Sequence, residues 1–279
     1  MKTAAIVFST IAPLCLVSCI GTGRVNDAVE EMKLKAVTVE NVDKADSSLD
    51  GSVIFATGTT SVGDMLTDDT YGISVKALRL VRSVEYYQMK EQSSTTTRKN
   101  DKGQTESVTT YTYVPEWSST KVNSSFFNDE DYKNVNVVSV DIDDRAIEST
   151  SARFGAYQLS AEVLSNLPTS ESVEVKKAPE GAHVVDGKQI YYGKDPASPQ
   201  VGDVRVSFSI APVSTISVMA LVKGKTLVNY TATNGMSIAF AKPGKVGISD
   251  IVNTGDIIEL SANDALRSVG KAITKELKL

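Results

Sequence analysis

Asp203-Val204-Arg205-Val206-Ser207-Phe208-Ser209-Ile210-Ala211 is the clearest strand in the chain. Val204, Val206, Phe208 and Ile210 alternate with Asp203, Arg205, Ser207 and Ser209, a period of two that buries one face and leaves the other polar. Pro212 cannot donate to a ladder and closes the strand. Downstream, Ile216 to Val222 and Met236 to Ala241 have the same β-favouring character, with Gly224, Gly235 and Gly244 at the breaks. Upstream, Asp186-Gly187 lies between Val184-Val185 and Ile190-Tyr191-Tyr192, which predicts a hairpin with a primed turn. Residues 195–199 then interrupt the pattern.

Further toward the N-terminus, Val37, Val39 and Val42 alternate, and Asp50-Gly51 precedes a short strand at Val53-Ile54-Phe55-Ala56. Residues 75–91 and 106–114 read as two more strands, joined through Ser93 to Gly103, a run without apolar residues that predicts a mobile hairpin tip. Ser160 stands three residues before Val163, and Pro168 follows closely, so one short helix is expected there. In the tail, Ala262, Leu266, Val269, Ile273 and Leu277 recur at helical spacing, while Arg267, Lys271, Lys275 and Lys278 take the other faces. The fold class is therefore α+β and predominantly β. Antiparallel strands and hairpins form a meander over residues 36–260, with one short internal helix, a C-terminal amphipathic helix over 261–279, and a candidate subdomain break near 193–200.

The N-terminus predicts location. Lys2, an apolar run from Ala4 to Val17, and Leu16-Val17-Ser18-Cys19 have the form of a lipoprotein export signal over residues 1–18, with Cys19 as the acylated first residue of the mature chain. The run is too short for a membrane span. Several acyl chains on one cysteine anchor a domain stably, because each buried methylene contributes about 0.8 kcal/mol. Pro13 and Leu14 before Cys15 make that cysteine the poorer acceptor. Residues 19–35 read as the lipidated start and a tether, although Val25, Val29 and Met32 stand at helical spacing. The expected location is outside the cytoplasm, lipid-anchored to a bacterial membrane, with the outer membrane or cell surface favoured over the inner membrane because Ile20 replaces the aspartate of inner-membrane retention.

Composition narrows the chemistry. The chain of 279 residues has a formal charge of −5, made one unit more negative by loss of Lys2, and its basic residues are scattered rather than massed, so no nucleic-acid partner is expected. With Cys15 lost and Cys19 acylated, no cysteine is left for a disulfide or for zinc. The single histidine, His183, precedes a turn and reads as a solvated residue. Asp203 and Arg205 read as polar-face charges in a cross-strand ion pair, and Glu85, Arg79 and Arg82 in the same way. Trp117 reads as a buried anchor. Asp129-Glu130-Asp131 lacks the loop spacing and glycine of a calcium hand and reads as an acidic turn. No cofactor and no metal are expected, and no catalytic residue is assigned.

Four blocks resemble the transmembrane protein 43 family, also called LUMA, in order and separation. They are Gly51 to Gly58, Arg79 to Gln88, Trp117-Ser118 with Asn123-Ser124-Ser125-Phe126, and Val201 to Phe208. Within them Arg79, Arg82, Glu85, Tyr87, Gln88, Trp117, Ser125, Phe126, Gly202, Asp203, Arg205 and Phe208 are the family-like positions. The resemblance implies a domain held on the non-cytoplasmic side of a membrane, with membrane helices before and after it. A lipid on Cys19 would stand in place of the leading helix, and residues 264–279 are too polar and too short to span. Met89 stands where the family has tryptophan, and the family's Gly-His pair falls near Asp131 and Tyr132. The function expected is a binding or scaffolding module at the membrane surface, with membrane lipid, envelope proteins or a second copy as partners. The alternative is an envelope hydrolase or transferase using Glu85 or Asp203 with Arg205.

Overall fold

The computed structural model describes the backbone of residues 13–99, 103 and 105–264, with side chains from residue 22 onward. Helix α1 spans Pro13–Lys35 and α2 spans Ala161–Leu164. The strands begin with β1 (Val37–Val39), β2 (Val53–Ser61), β3 (Leu66–Asp68), β4 (Ile73–Val75), β5 (Arg79–Lys99) and β6 (Thr105–Ser118). They continue with β7 (Arg145–Glu148), β8 (Arg153–Phe154), β9 (Tyr157–Leu159), β10 (Glu171–Ser172), β11 (His183–Val185) and β12 (Gln189–Tyr192). The last are β13 (Val204–Ala211), β14 (Thr215–Lys223), β15 (Thr226–Val228), β16 (Tyr230–Thr231), β17 (Ser237–Ile238) and β18 (Phe240–Pro243). A further helix covers residues 254–264.

Two sheets of seven strands organise the molecule. The first runs β1-β2-β8-β9-β15-β14-β18, with β2 also paired to β14. Both of its faces are buried. Val53 and Phe55 of β2 point toward α1, while Ile54 and Ala56 point into a separate core with Phe154, Tyr157, Leu164 and Val218. The α1 face is Val25, Ala28, Val29 and Met32, the i, i+3, i+4, i+7 stripe of a helix lying on a core. Residues 22–35, expected as a tether, are therefore a packed helix. The burial of that stripe against Met219, Tyr230 and Phe240 supplies the free energy that local propensity lacks.

The second sheet runs β11-β12-β13-β5-β6, with β10 beside β13 and β7 beside β5. Its inner face, Leu80, Val84, Tyr86, Ile190, Val204, Val206 and Phe208, packs under the β3–β4 hairpin. The alternation read at Asp203–Ala211 is present, and its polar face is open. Asp186 and Gly187 have φ of 49° and 64°, the primed turn expected between β11 and β12. Ser160 caps α2 by accepting from the Val163 N–H at 3.4 Å.

The hairpin differs from expectation. β5 continues to Lys99 and β6 begins at Thr105, so most of Ser93 to Gly103 is ladder rather than tip, and residues 100–102 and 104 lie outside the described residues. β-Branched Thr carries β propensity without needing an apolar face, and Thr95 Oγ1 lies 2.9 Å from Thr109 Oγ1 across the pair. The last helix also starts earlier than Ala262. Asn253 and Asp256 cap each other's N–H groups, at 2.9 and 2.7 Å, a reciprocal box that fixes the start at residue 254. Residues 265–279 and 1–12 lie outside the described residues, as does the side chain of Cys19, the predicted lipid site.

Candidate functional site

The register of the second sheet lines up one residue from each of four strands. His183 is opposite Tyr191, Tyr191 opposite Arg205, and Arg205 opposite Glu85, so all four lie on one face of the sheet at one level, Tyr191 being buried there. Arg205 Nε donates to Glu85 Oε2 at 2.7 Å, and its guanidinium carbon lies 4.3 Å from the centre of the Trp117 ring. Tyr87 is directly opposite Trp117 on β5 and β6, with ring centres 5.2 Å apart. Trp117 also meets the Tyr191 ring edge-on at 6.1 Å, and Tyr191 meets the His183 ring at 5.4 Å. The result is a contiguous aromatic and charged cluster across five strands, with Tyr191 buried within it.

Two sequence readings change here. Trp117 is half-buried on this face rather than a core anchor, because it lies on the side of β6 away from the inner core. Asp203 is buried and does not pair with Arg205. Its Oδ2 accepts from the Tyr191 hydroxyl at 2.6 Å and from the Gln200 N–H at 2.9 Å. Burial of the Tyr191 phenol, reinforced by the Asp203 carboxylate, pushes its pKa far above the usual range, so the hydroxyl stays a donor. Gly193 makes this closure possible, since a Cβ there would lie 2.5 Å from the Asp203 carboxyl carbon.

Other family-like positions hold the frame. Arg82 faces inward and is not a solvated charge. Its Nη1 reaches Asp68 Oδ2 at 2.9 Å, and Asp68 is 1% exposed. Arg79 lies 3.2 Å from Glu148 and donates to the Leu167 carbonyl at 3.0 Å. Phe208 is buried against Tyr71, their ring centres 5.4 Å apart. Gln88 is also buried; its Nε2 donates to the Thr120 carbonyl and its Oε1 accepts from the Val122 N–H at 2.9 Å. Gly202, with φ of 104°, lets the Val137 carbonyl approach to 2.4 Å of where a Cβ would sit. Ser125 donates its N–H to Asn123 Oδ1 at 3.0 Å in the turn that carries Phe126, which is 80% exposed.

The arrangement suits recognition more than bond-making. Glu85 and Arg205 satisfy each other, Asp203 is spent on Tyr191, and the surface they occupy is a sheet face. Among the described residues, no group of three or more His, Cys, Asp or Glu side chains is placed to hold a metal ion. An exposed ion pair contributes at most about 1 kcal/mol, and an exposed cation–π contact about 0.5–1 kcal/mol, so this face adds little to folding. Nothing local in the sequence aligns Arg205 with Glu85, or Trp117 and Tyr191 with either, because the register between these strands is set only by the folded sheet.

Comparison with known proteins adds a family. The family model described as Transmembrane protein 43 matches residues 86–273, which include Tyr87, Trp117, Asp203 and Arg205. The chain is 28% identical over 234 residues to Transmembrane protein 43 of Mus musculus, covering 77% of this chain and 56% of that protein. It is 26% identical over 231 residues to the Homo sapiens protein, with the same coverage. The Transmembrane protein 43 homolog of Drosophila melanogaster is 28% identical over 215 residues, covering 75% of this chain and 56% of the relative. The chain thus spans about half the length of these relatives. No solved structure matches it. Among the described residues no helix is long and apolar enough to cross a membrane.

Proposed function

The chain belongs to the transmembrane protein 43 family, and from that premise we propose that it is a lipid-anchored envelope protein whose β-rich domain is a binding or scaffolding module at a bacterial membrane surface. The observation that carries the binding reading is the Arg205–Trp117–Glu85–Tyr87 assembly on an open sheet face. Aromatic rings and arginine concentrate binding energy at interfaces, and here three strands hold them in a fixed geometry. The anchor reading is supported by Leu16 to Cys19, and the membrane association by the name that its relatives carry. Exposed membrane or envelope proteins, or a second copy, are the partners such a face would take.

The test separates anchor from face. Mass spectrometry of the mature N-terminal peptide is expected to show acyl chains on Cys19; a bare thiol would remove the anchor. In the membrane-bound chain, Arg205→Ala with Trp117→Ala is expected to leave the melting temperature within about 4 °C while reducing recovery of crosslinked envelope neighbours at least about fivefold. Recovery equal to that of the unsubstituted chain would sink the binding face.

A further inference from the structure

We propose that the turn carrying Phe126 is a preorganised anchor that inserts into an apolar pocket, rimmed by basic residues, on a protein partner. The proposal deepens the binding-module reading and rests on it. Among the described residues, Phe126 is the most exposed of the large hydrophobic side chains apart from Leu34, at 80%, whereas its neighbour Phe127 is 6% exposed and packs on Tyr113 at 5.6 Å between ring centres. Val137 is 72% exposed and belongs to the same hydrogen-bonded unit. Single apolar residues at a surface are ordinary. What sets this pair apart is the framework that holds it out.

Residues 119–137 contain only two short 3-10 turns, yet buried or bridging side chains fasten them to the sheet along their length. Gln88 holds Thr120 and Val122. Asn136 replaces a missing strand at Met89, accepting its N–H at 2.8 Å and donating to its carbonyl at 2.9 Å, and donates to Val122 as well. Buried Ser124 accepts from the N–H groups of Asn134 and Asn136, which ties the Phe126 turn to the chain before Val137. Glu91 accepts from Asn128 and from the Tyr113 hydroxyl, and Tyr113 stacks on Tyr132 at 4.0 Å. A side chain whose backbone is fixed in this way loses little further freedom on binding, so more of its burial energy appears as affinity.

Charge selects the partner. Asp129, Glu130 and Asp131 are exposed beside the turn, and Lys133 offsets only one of them by pairing with Glu130 at 2.6 Å. Three acidic residues repel the anionic surface of a phospholipid bilayer and fit a positively charged rim on a protein. Phe126 also lies in a block that the family resemblance singled out and within the matched residues 86–273, while its exposure leaves it no part in the core.

A photoreactive benzoylphenylalanine at position 126 of the membrane-bound full chain tests this. The expected result is one discrete protein adduct that falls at least about fivefold both in about 0.5 M salt and with Asp129→Asn, Glu130→Gln and Asp131→Asn combined. Phe126→Ala is expected to lower the same adduct formed from a probe at Val137 by a similar factor, with an unchanged melting curve. Phospholipid adducts, an adduct indifferent to charge, or none beyond that from a probe at exposed Leu34 would each overturn the proposal. If these follow while the Arg205 and Trp117 substitutions still abolish recovery of neighbours, the binding face stands and the Phe126 anchor alone is lost.

Discussion

Arg82 and Arg205 lie on hydrogen-bonded neighbouring strands, but on opposite faces, and they therefore answer truncation differently. Arg82 bonds both oxygens of Asp68, donates to the Asp143 carbonyl at 3.1 Å, and lies over the Tyr71 ring. Removing it strands a carboxylate that is 1% exposed, which costs about 3–5 kcal/mol. Arg82→Ala should lower the urea midpoint sharply, and Arg205→Ala should cost under about 1 kcal/mol in the same measurement. Two carboxylates carry a pH signature. Burial acts to raise the Asp64 pKa, but hydrogen bonds from Ser149 and Ser151, with the Thr150 N–H, outweigh it and bring it from 3.8 to about 2. Glu31, bonded by Lys35, Tyr230 and Thr233, falls from 4.5 to about 2. Both folded values lie below the unfolded ones, so the stabilisation is complete above pH 4.5 and is lost as pH falls toward 2. A melting series between those limits should slope downward toward acid, and Asp64→Asn should flatten it; an unchanged slope would refute the assignment.

At the scale of elements, the long hairpin separates pairing from core formation. Through Tyr86, β5 has mostly apolar residues on its inner face; from Ser94 to Lys99 every side chain is exposed, and the ladder to β6 continues on backbone hydrogen bonds, the Thr95–Thr109 contact and the Arg98–Glu106 ion pair at 2.5 Å. A two-stranded ribbon of this kind is marginal in isolation. Replacing residues 93–111 by an Asn-Gly turn should leave the melting temperature within about 4 °C, and amide exchange in the intact chain should be fast from residue 94 outward but slow at residues 80–86. A large loss of stability would show that the ribbon supports the core. Helix α1 is the opposite case. Its apolar stripe was visible as Val25, Val29 and Met32, but Ala28 and the charged residues between diluted the signal, and only the surface formed by β2, β14 and β18 converts it into a packed helix.

For the whole molecule, residues 193–200 do not divide the strands. The first sheet joins β2 to β14, and the second joins β5 to β13, so each sheet takes strands from both sides of that segment. Cutting the folded chain there should leave both fragments co-eluting in native gel filtration, and the fragment ending before residue 193 expressed alone should show no cooperative melt. Separate elution would mean two independent domains. Much of this architecture could be read residue by residue. Alternation fixed β13 and its open face, Asp186-Gly187 fixed a turn, Ser160 fixed a cap, and the β-rich class followed, because each depends on neighbours a few positions apart. The meeting of Arg205 with Glu85 across 120 positions, the stacking of Trp117 on that arginine, the burial of Asp203 against Tyr191 and the inward turn of Arg82 could not, since they follow from strand order and sheet face. Periodicity tells a side chain which side of its own strand to take; what waits on that side is set by the cores that bring distant strands together.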